Sequence, residues 1–219
     1  MDNLIGIKGA IFDMDGTLLD SMPIWNSIVS DYLRSIGKTP KPGLLDELLA
    51  LGGHEIPSYL KAEYEIEKAV QEIQESLYQM LSEFYFYRAP LKPGAMSVLE
   101  KLRDRGVKMC LATATDRWLV EPALRRCGIF DFFSRIFTCG EENASKSTPE
   151  IFVRAAAFLQ TNAKATLVVE DAPYAVRSAK EAGLIVAGVY DPAAHDQQDD
   201  IKQSSDYYFE SLDEMLKLL

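Results

Sequence analysis

Cysteine is scarce in this chain and follows no pattern. Cys110, Cys127 and Cys139 are its three cysteines, and no two stand in a CxxC spacing. That number is too small for a disulfide framework and fits reduced thiols in a cytosolic protein. No apolar stretch approaches the roughly 20 residues of a membrane span. The opening MDNLIGIKG lacks the basic segment and apolar run of a secretory signal. The expectation is a cytoplasmic protein with no membrane partner. Positive charge is also in deficit, with 23 Lys and Arg against 33 Asp and Glu and a formal net charge of -10. A nucleic-acid surface needs clustered Lys and Arg, so nucleic acid is excluded as a partner. Net charge does not set the sign of a pocket, because a metal and one or two cations can line a site for an anionic substrate.

What is present is an ordinary globular composition, 47% hydrophobic and 26% charged over 219 residues. That length can bury an α/β core and carry a modest second domain. Ile7 to Phe12 is a short apolar run ending at Asp13 and reads as a buried strand. From Pro23 to about Tyr87 the spacing is helical, with Trp25, Ile28, Val29, Tyr32, Leu33 and Ile36 on one stripe. Leu44 to Leu51 reads as a short helix broken by Gly52-Gly53, and another includes Tyr59 and Leu60. A long helix from about Ile66 to Phe86 places Val70, Ile73, Leu77, Met80, Leu81 and Phe84 together. After Pro93-Gly94, strands and helices alternate to the end, and Ser211 with Glu214 has the spacing of a capping box. The fold class is therefore α/β, a Rossmann-like doubly wound parallel sheet with an inserted all-helical domain. The expected division is a core of residues 1–18 and 90–219 with a helical cap of residues 19–89. Ligands of such sheets bind at the C-terminal edge of the strands.

Asp13-Met14-Asp15-Gly16-Thr17 sits at that edge. Two carboxylates one residue apart in extended chain point to the same side and repel, so they need a cation or a shared proton. A bare DxD is as readily a turn or helix cap. The longer string FDMDGTLLDS is more specific, and it resembles the first motif of the haloacid dehalogenase superfamily of phosphohydrolases. MCLATATD resembles the second motif, Lys146 in ASKSTPEIF the third, and VVEDAPYAVRSAKEAG the fourth. Each motif is weak alone, and their ordered coincidence is what carries the resemblance.

The resemblance implies a sheet order of 5-4-1-2-3 and a Mg²⁺-dependent hydrolase of small phosphate monoesters working through an aspartyl phosphate. Asp13 would be the nucleophile, Asp15 the acid and base, and Lys146 the positive charge beside them. Asp13, the backbone carbonyl of Asp15, Glu170 and Asp171 would hold the metal, a hard cation that prefers oxygen ligands. Thr113, Lys146 and the backbone N–H groups of Met14, Asp15 and Ala114 would meet the phosphate oxygens, with Thr115 a further donor. Within the superfamily the similarity is to the β-phosphoglucomutase and phosphoglycolate phosphatase branch. A sugar-phosphate mutase and a non-catalytic phosphometabolite-binding protein stand as alternatives. The mutases place a histidine where Trp25 stands here, which favours hydrolysis. His54 follows two glycines in the loop where relatives carry a specificity residue. It and Trp25 are the cap candidates for substrate choice, while His195 reads as surface. The oligomeric expectation is a monomer or weak homodimer.

Overall fold

The computed structural model describes residues 4–49, 51 and 53–219. Gly52, half of the expected glycine break, lies outside the described residues, as does Ala50. The chain divides into two compact units, one of residues 22–88 and one combining residues 1–21 with 89–219.

The larger unit is built on a parallel sheet of six strands. These are β1 (Gly9–Phe12), β2 (Lys108–Thr113), β3 (Ile136–Thr138), β4 (Thr166–Glu170), β5 (Ile185–Val189) and β6 (Tyr207–Phe209), in the order β3-β2-β1-β4-β5-β6. The expected five-strand order is thus extended by β6 at one edge. β1 and β4 are buried along their whole length, and this is why GAIF of β1 and Leu167 to Val169 of β4 are apolar throughout rather than alternating. Phe12 is in register with Leu111 of β2 and with Val169 of β4. The residues that follow each strand therefore emerge side by side, where the strand order reverses. Ile11, Cys110, Val168 and Val186 pack on one face against Ile151, Phe152 and Ala155 of α8 (Glu150–Leu159) and Val176 and Ala179 of α9 (Pro173–Glu181). On the opposite face α5 (Ala95–Asp104) packs on β2, and α11 (Leu212–Met215) packs on α5 and β6. Helices α6 (Arg117–Arg126) and α7 (Cys139–Glu142) follow β2 and β3, and α10 (Gln198–Ser204) packs against α9. The two connections to the insertion are paired within this unit. Leu19 bridges Leu91, Asp20 N–H donates to the Pro90 carbonyl at 2.9 Å, and Lys92 N–H donates to the Leu18 carbonyl at 2.9 Å.

The smaller unit is all helical among its described residues, with α1 (Met22–Ser35), α2 (Leu44–Leu49), α3 (Ile56–Glu63) and α4 (Val70–Tyr87). α4 packs on both α1 and α3. Ile24, Ile28, Val29, Tyr32 and Leu33 of α1 are buried, as are Ile73, Leu77, Leu81 and Tyr85 of α4. Ile24 thus takes the buried place in α1 assigned from sequence to Trp25, and Tyr85 takes that of Phe84. α4 starts at Val70 rather than Ile66, because the Lys61 ammonium gathers the carbonyls of Ile66, Glu67 and Lys68 at 3.0, 3.3 and 2.7 Å. Those carbonyls are held by a cation instead of an α-helical ladder. The capping box at Ser211 does not form either. The Glu214 carboxylate accepts from the Glu210 N–H at 3.0 Å, one residue earlier, and Ser211 makes no side-chain cap bond.

One core contact offers a direct stability test. A Cβ on Gly188 would collide with Ile201 Cγ2 of α10 and lie 3.2 Å from Ser205 Oγ. Gly188→Ala is expected to cost about 1–3 kcal/mol in urea unfolding, and less in an Ile201→Ala background. Additive losses in the two backgrounds would show that the contact is not the cause.

Candidate active site

Asp13 continues β1 by one residue, its N–H donating to the Val169 carbonyl at 3.0 Å. That bond anchors the aspartate to the sheet and aims it at the end of β4. Its Oδ1 lies 2.6 Å from the Lys146 ammonium, which also contacts Glu170 Oε1. Glu170 Oε2 accepts from the N–H groups of Asp171 and Ala172, both at 2.8 Å. These amides immediately precede α9, whose dipole favours a carboxylate at its N-terminal end. Asp171 Oδ1 accepts from the Thr17 hydroxyl at 2.7 Å. Carboxylate oxygens of Asp13, Glu170 and Asp171 all lie within 4.8 Å of one another, and all three residues are buried.

The loop after β1 needs its glycine. Gly16 adopts φ +81°, and a Cβ there would overlap Asp171 Oδ2 and sit 2.7 Å from its Cγ. An absent side chain therefore lets the loop close on Asp171, a conformation other residues resist. Asp15 is held at both oxygens, Oδ1 by the Ser21 hydroxyl at 2.6 Å and Oδ2 by the Thr115 hydroxyl at 2.7 Å. The Thr113 hydroxyl, buried at the end of β2, accepts from Thr115 N–H at 3.1 Å. Met14 is buried and its carbonyl accepts from Leu18 and Leu19, whereas Ala114 is exposed.

Burial pushes the Asp13 carboxyl up to about 6, with Lys146 opposing the shift and Glu170 adding to it. Burial also raises Asp171, reinforced by the charges of Glu170 and Asp13. For Lys146, burial pulls down, but the charges of Asp13 and Glu170 outweigh it and hold the ammonium firmly protonated. Fully ionised, the cluster sets three carboxylates against one ammonium. Such a site is stable only with protons or a cation, and an all-oxygen donor set suits a hard divalent ion.

The structure thus brings Asp13, Lys146, Glu170 and Asp171 into one buried cluster, with Asp15 and Thr113 joined to each other through Thr115. Trp25 and His54 belong to the helical unit. Trp25 is 38% exposed, and its indole N–H donates to the Tyr85 hydroxyl at 2.9 Å. His54 is exposed in the turn before α3. Thr17 and Ser21 were not marked from sequence although both lie inside FDMDGTLLDS. Their roles depend on how the loop folds back, which spacing alone does not encode. Tyr174 stands in the first turn of α9. Burial raises its phenol to about 12, with the nearby Lys146 opposing and Glu170 adding to the shift. A separate groove of 780 Å³ between α6 and the end of β3, lined by Trp118, Arg125 and Thr138, includes none of the clustered carboxylates.

Comparison with known proteins places this geometry. A Drosophila melanogaster protein named "Probable pseudouridine-5'-phosphatase" is 29% identical over 193 residues, covering 85% of this chain and 83% of its own. The phosphorylated carbohydrates phosphatase of Thermotoga maritima is 24% identical over 178 residues, covering 81% and 82%. A crystal structure from Thermotoga maritima, of a protein named provisionally as a β-phosphoglucomutase, superposes with a TM-score of 0.82 at 22% identity. It covers 97% of this chain and 98% of its own, and at that identity it speaks for the fold. The sequence model of the haloacid dehalogenase-like hydrolases matches residues 7–183, a span that includes the whole carboxylate cluster and Lys146, and the chain belongs to that family.

Proposed function

We propose that this protein is a Mg²⁺-dependent phosphatase of small phosphate monoesters, acting through a phosphorylated Asp13. The observation that carries the reading is a buried aspartate at the end of β1, paired with Lys146 and clustered with two more carboxylates. The names of the relatives, phosphatases of pseudouridine 5'-phosphate and of phosphorylated carbohydrates, support the substrate class.

Asp13, Glu170 and Asp171 would hold Mg²⁺, which when bound supplies the positive charge that lets a carboxylate approach an anionic phosphate. Asp13 Oδ forms the new bond to phosphorus as the bond to the leaving oxygen breaks. Asp15 gives its proton to that oxygen, then takes one from the water that displaces phosphate from Asp13. Ser21 and Thr115 hold the plane of Asp15, so the proton is delivered from a fixed direction. Lys146 stays charged and screens Asp13 against the phosphoryl oxygens. Thr113 and the backbone N–H groups of Met14, Asp15 and Ala114 are the proposed donors to those oxygens. The mutase alternative predicts an isomerised sugar phosphate in place of free phosphate, so a product assay separates the two.

Asp13→Asn is expected to lower turnover of p-nitrophenyl phosphate by at least about a thousandfold while the protein stays folded. Near-normal rates in the purified variant would remove Asp13 from the nucleophile's role. The metal reading has a thermodynamic signature. A carboxyl with a higher pKa in the fold binds more protons there than in the unfolded chain. Its contribution to stability is full below the ordinary carboxylate range and is lost as pH rises through about 6 for Asp13. Metal binding needs these carboxyls ionised, so it releases those protons. The rise in Tm on adding excess Mg²⁺ should therefore be larger near pH ~7.5 than near pH ~5.5, and should largely vanish in Asp171→Ala. Equal shifts at both pH values, or an undiminished shift in the variant, would contradict the assigned ligands. For substrate choice, His54→Ala should reduce kcat/KM for a natural sugar or nucleotide phosphate by at least roughly tenfold, about 1.4 kcal/mol, and affect p-nitrophenyl phosphate much less. A loss on both esters alike would indicate a folding defect, and no loss on either would leave His54 without the role.

A further inference from the structure

Lys92 lies outside the four sequence motifs. Its ammonium donates to the Gly16 carbonyl at 2.6 Å, to the Tyr190 carbonyl at 2.7 Å and to Asp191 Oδ2 at 3.0 Å. A lysine has three donors, and here each meets a separate oxygen. Two of the three acceptors are fixed by the sheet. Tyr190 N–H donates to the Phe209 carbonyl at 2.9 Å, and Asp191 is 1% exposed, with Oδ1 accepting from Ala193 N–H at 2.9 Å. The backbone of Lys92 is fixed as well, through its N–H on Leu18. The third acceptor is the peptide between Asp15 and Thr17, the two loop residues whose side chains reach Thr115 and Asp171. Gly16 N–H is already taken by the Leu19 carbonyl at 2.9 Å. With its carbonyl on Lys92, Gly16 is held at both of its peptide groups.

We propose that the Lys92–Asp191 pair is a positioning device that fastens the loop carrying Asp15 to the end of β5. The ammonium fixes the plane of the Gly16–Thr17 peptide, and that plane sets where the Thr17 hydroxyl meets Asp171 and where Asp15 points. Asp191 supplies the negative charge that keeps the ammonium in place between two carbonyls. Neither residue touches substrate. Their effect belongs in kcat, because displacing an acid by about an ångström costs the chemical step far more than it costs binding. This catalytic part rests on the phosphatase reading above, whereas the fastening of the loop does not.

The test uses the full-length protein as Lys92→Met and as Lys92→Met/Asp191→Asn. The single variant strands a buried carboxylate and is expected to be strongly destabilised. The double variant removes that charge and recovers much of the lost Tm. Two readouts are then taken at a temperature where circular dichroism shows the double variant folded. Hydrogen exchange in residues 14–19 is expected to be about tenfold faster than in the wild type, with the sheet unchanged. With p-nitrophenyl phosphate and Mg²⁺, kcat is expected to fall at least about tenfold while KM changes by less than about threefold. Unchanged exchange in residues 14–19 would overturn the fastening, whatever the activity. Faster exchange with kcat within about twofold of the wild type would overturn the catalytic role. A wild-type protein that turns over no phosphate ester would sink the phosphatase reading instead, since the exchange measurement still decides the loop.

Discussion

The site is governed by an imbalance of buried charge at the meeting point of β1 and β4. One ammonium, Lys146, stands among Asp13, Glu170 and Asp171, all nearly without solvent. In water such a group would disperse. Here the sheet register prevents that, because Phe12 and Val169 are direct neighbours and the next residues of both strands leave at the same level. The repulsion is therefore built in by the backbone and relieved by what surrounds it. Glu170 has two amides just before α9, Asp171 has a hydroxyl, and Asp13 shares the lysine. Burial raises both Asp13 and Asp171, with Lys146 holding Asp13 back to about 6 while the charges of Glu170 and Asp13 push Asp171 well above the ordinary carboxylate range. A cation placed among these carboxylates would favour their ionised forms.

The loop of residues 14–19 extends the same constraint away from the strands. Its carbonyls and amides close on themselves, with Leu18 and Leu19 both donating to Met14. Such a tight turn leaves its side chains few directions, and Thr17 and Asp15 diverge from it to different partners. Rigid backbone with short polar side chains is an economical way to hold hydroxyl–carboxylate contacts, since Ser and Thr lose little rotamer freedom on binding. The loop thus joins the carboxylate cluster on one side to the end of β2 on the other.

How much of this could be read from sequence follows from where each determinant lies. β1 and β4 were legible because burial on both faces writes an apolar run into three or four consecutive residues. Asp13, Lys146, Glu170 and Asp171 were named from the order of motifs, and no periodicity would have joined residues so distant in the chain. α10 escaped because QDDIKQS offers the core a single large apolar side chain, Ile201. The start of α4 and the Ser211 cap were misplaced because a competing polar group, the Lys61 ammonium in one case and the Glu210 N–H in the other, met the partner first. Lys92 and Asp191 were invisible for a related reason. Each has an unremarkable neighbourhood in sequence, and their partnership exists only once the chain is folded.

The pairing of the two connections has a consequence for how such a chain could diversify. Leu19 bridges Leu91, with Asp20 and Lys92 bonded to Pro90 and Leu18 on either side. The larger unit itself therefore brings the two ends of the 22–88 segment together, and contacts outside that segment offset the entropy of closing it. Since closure entropy grows only slowly with length, a longer or shorter insertion at this ribbon would change the cost by a few tenths to about 1 kcal/mol. The sheet and its charge cluster would not register the exchange. A protein built this way can replace the part beyond the ribbon wholesale, as a tool holder accepts a different bit, while the chemistry at the strand ends stays in the same place.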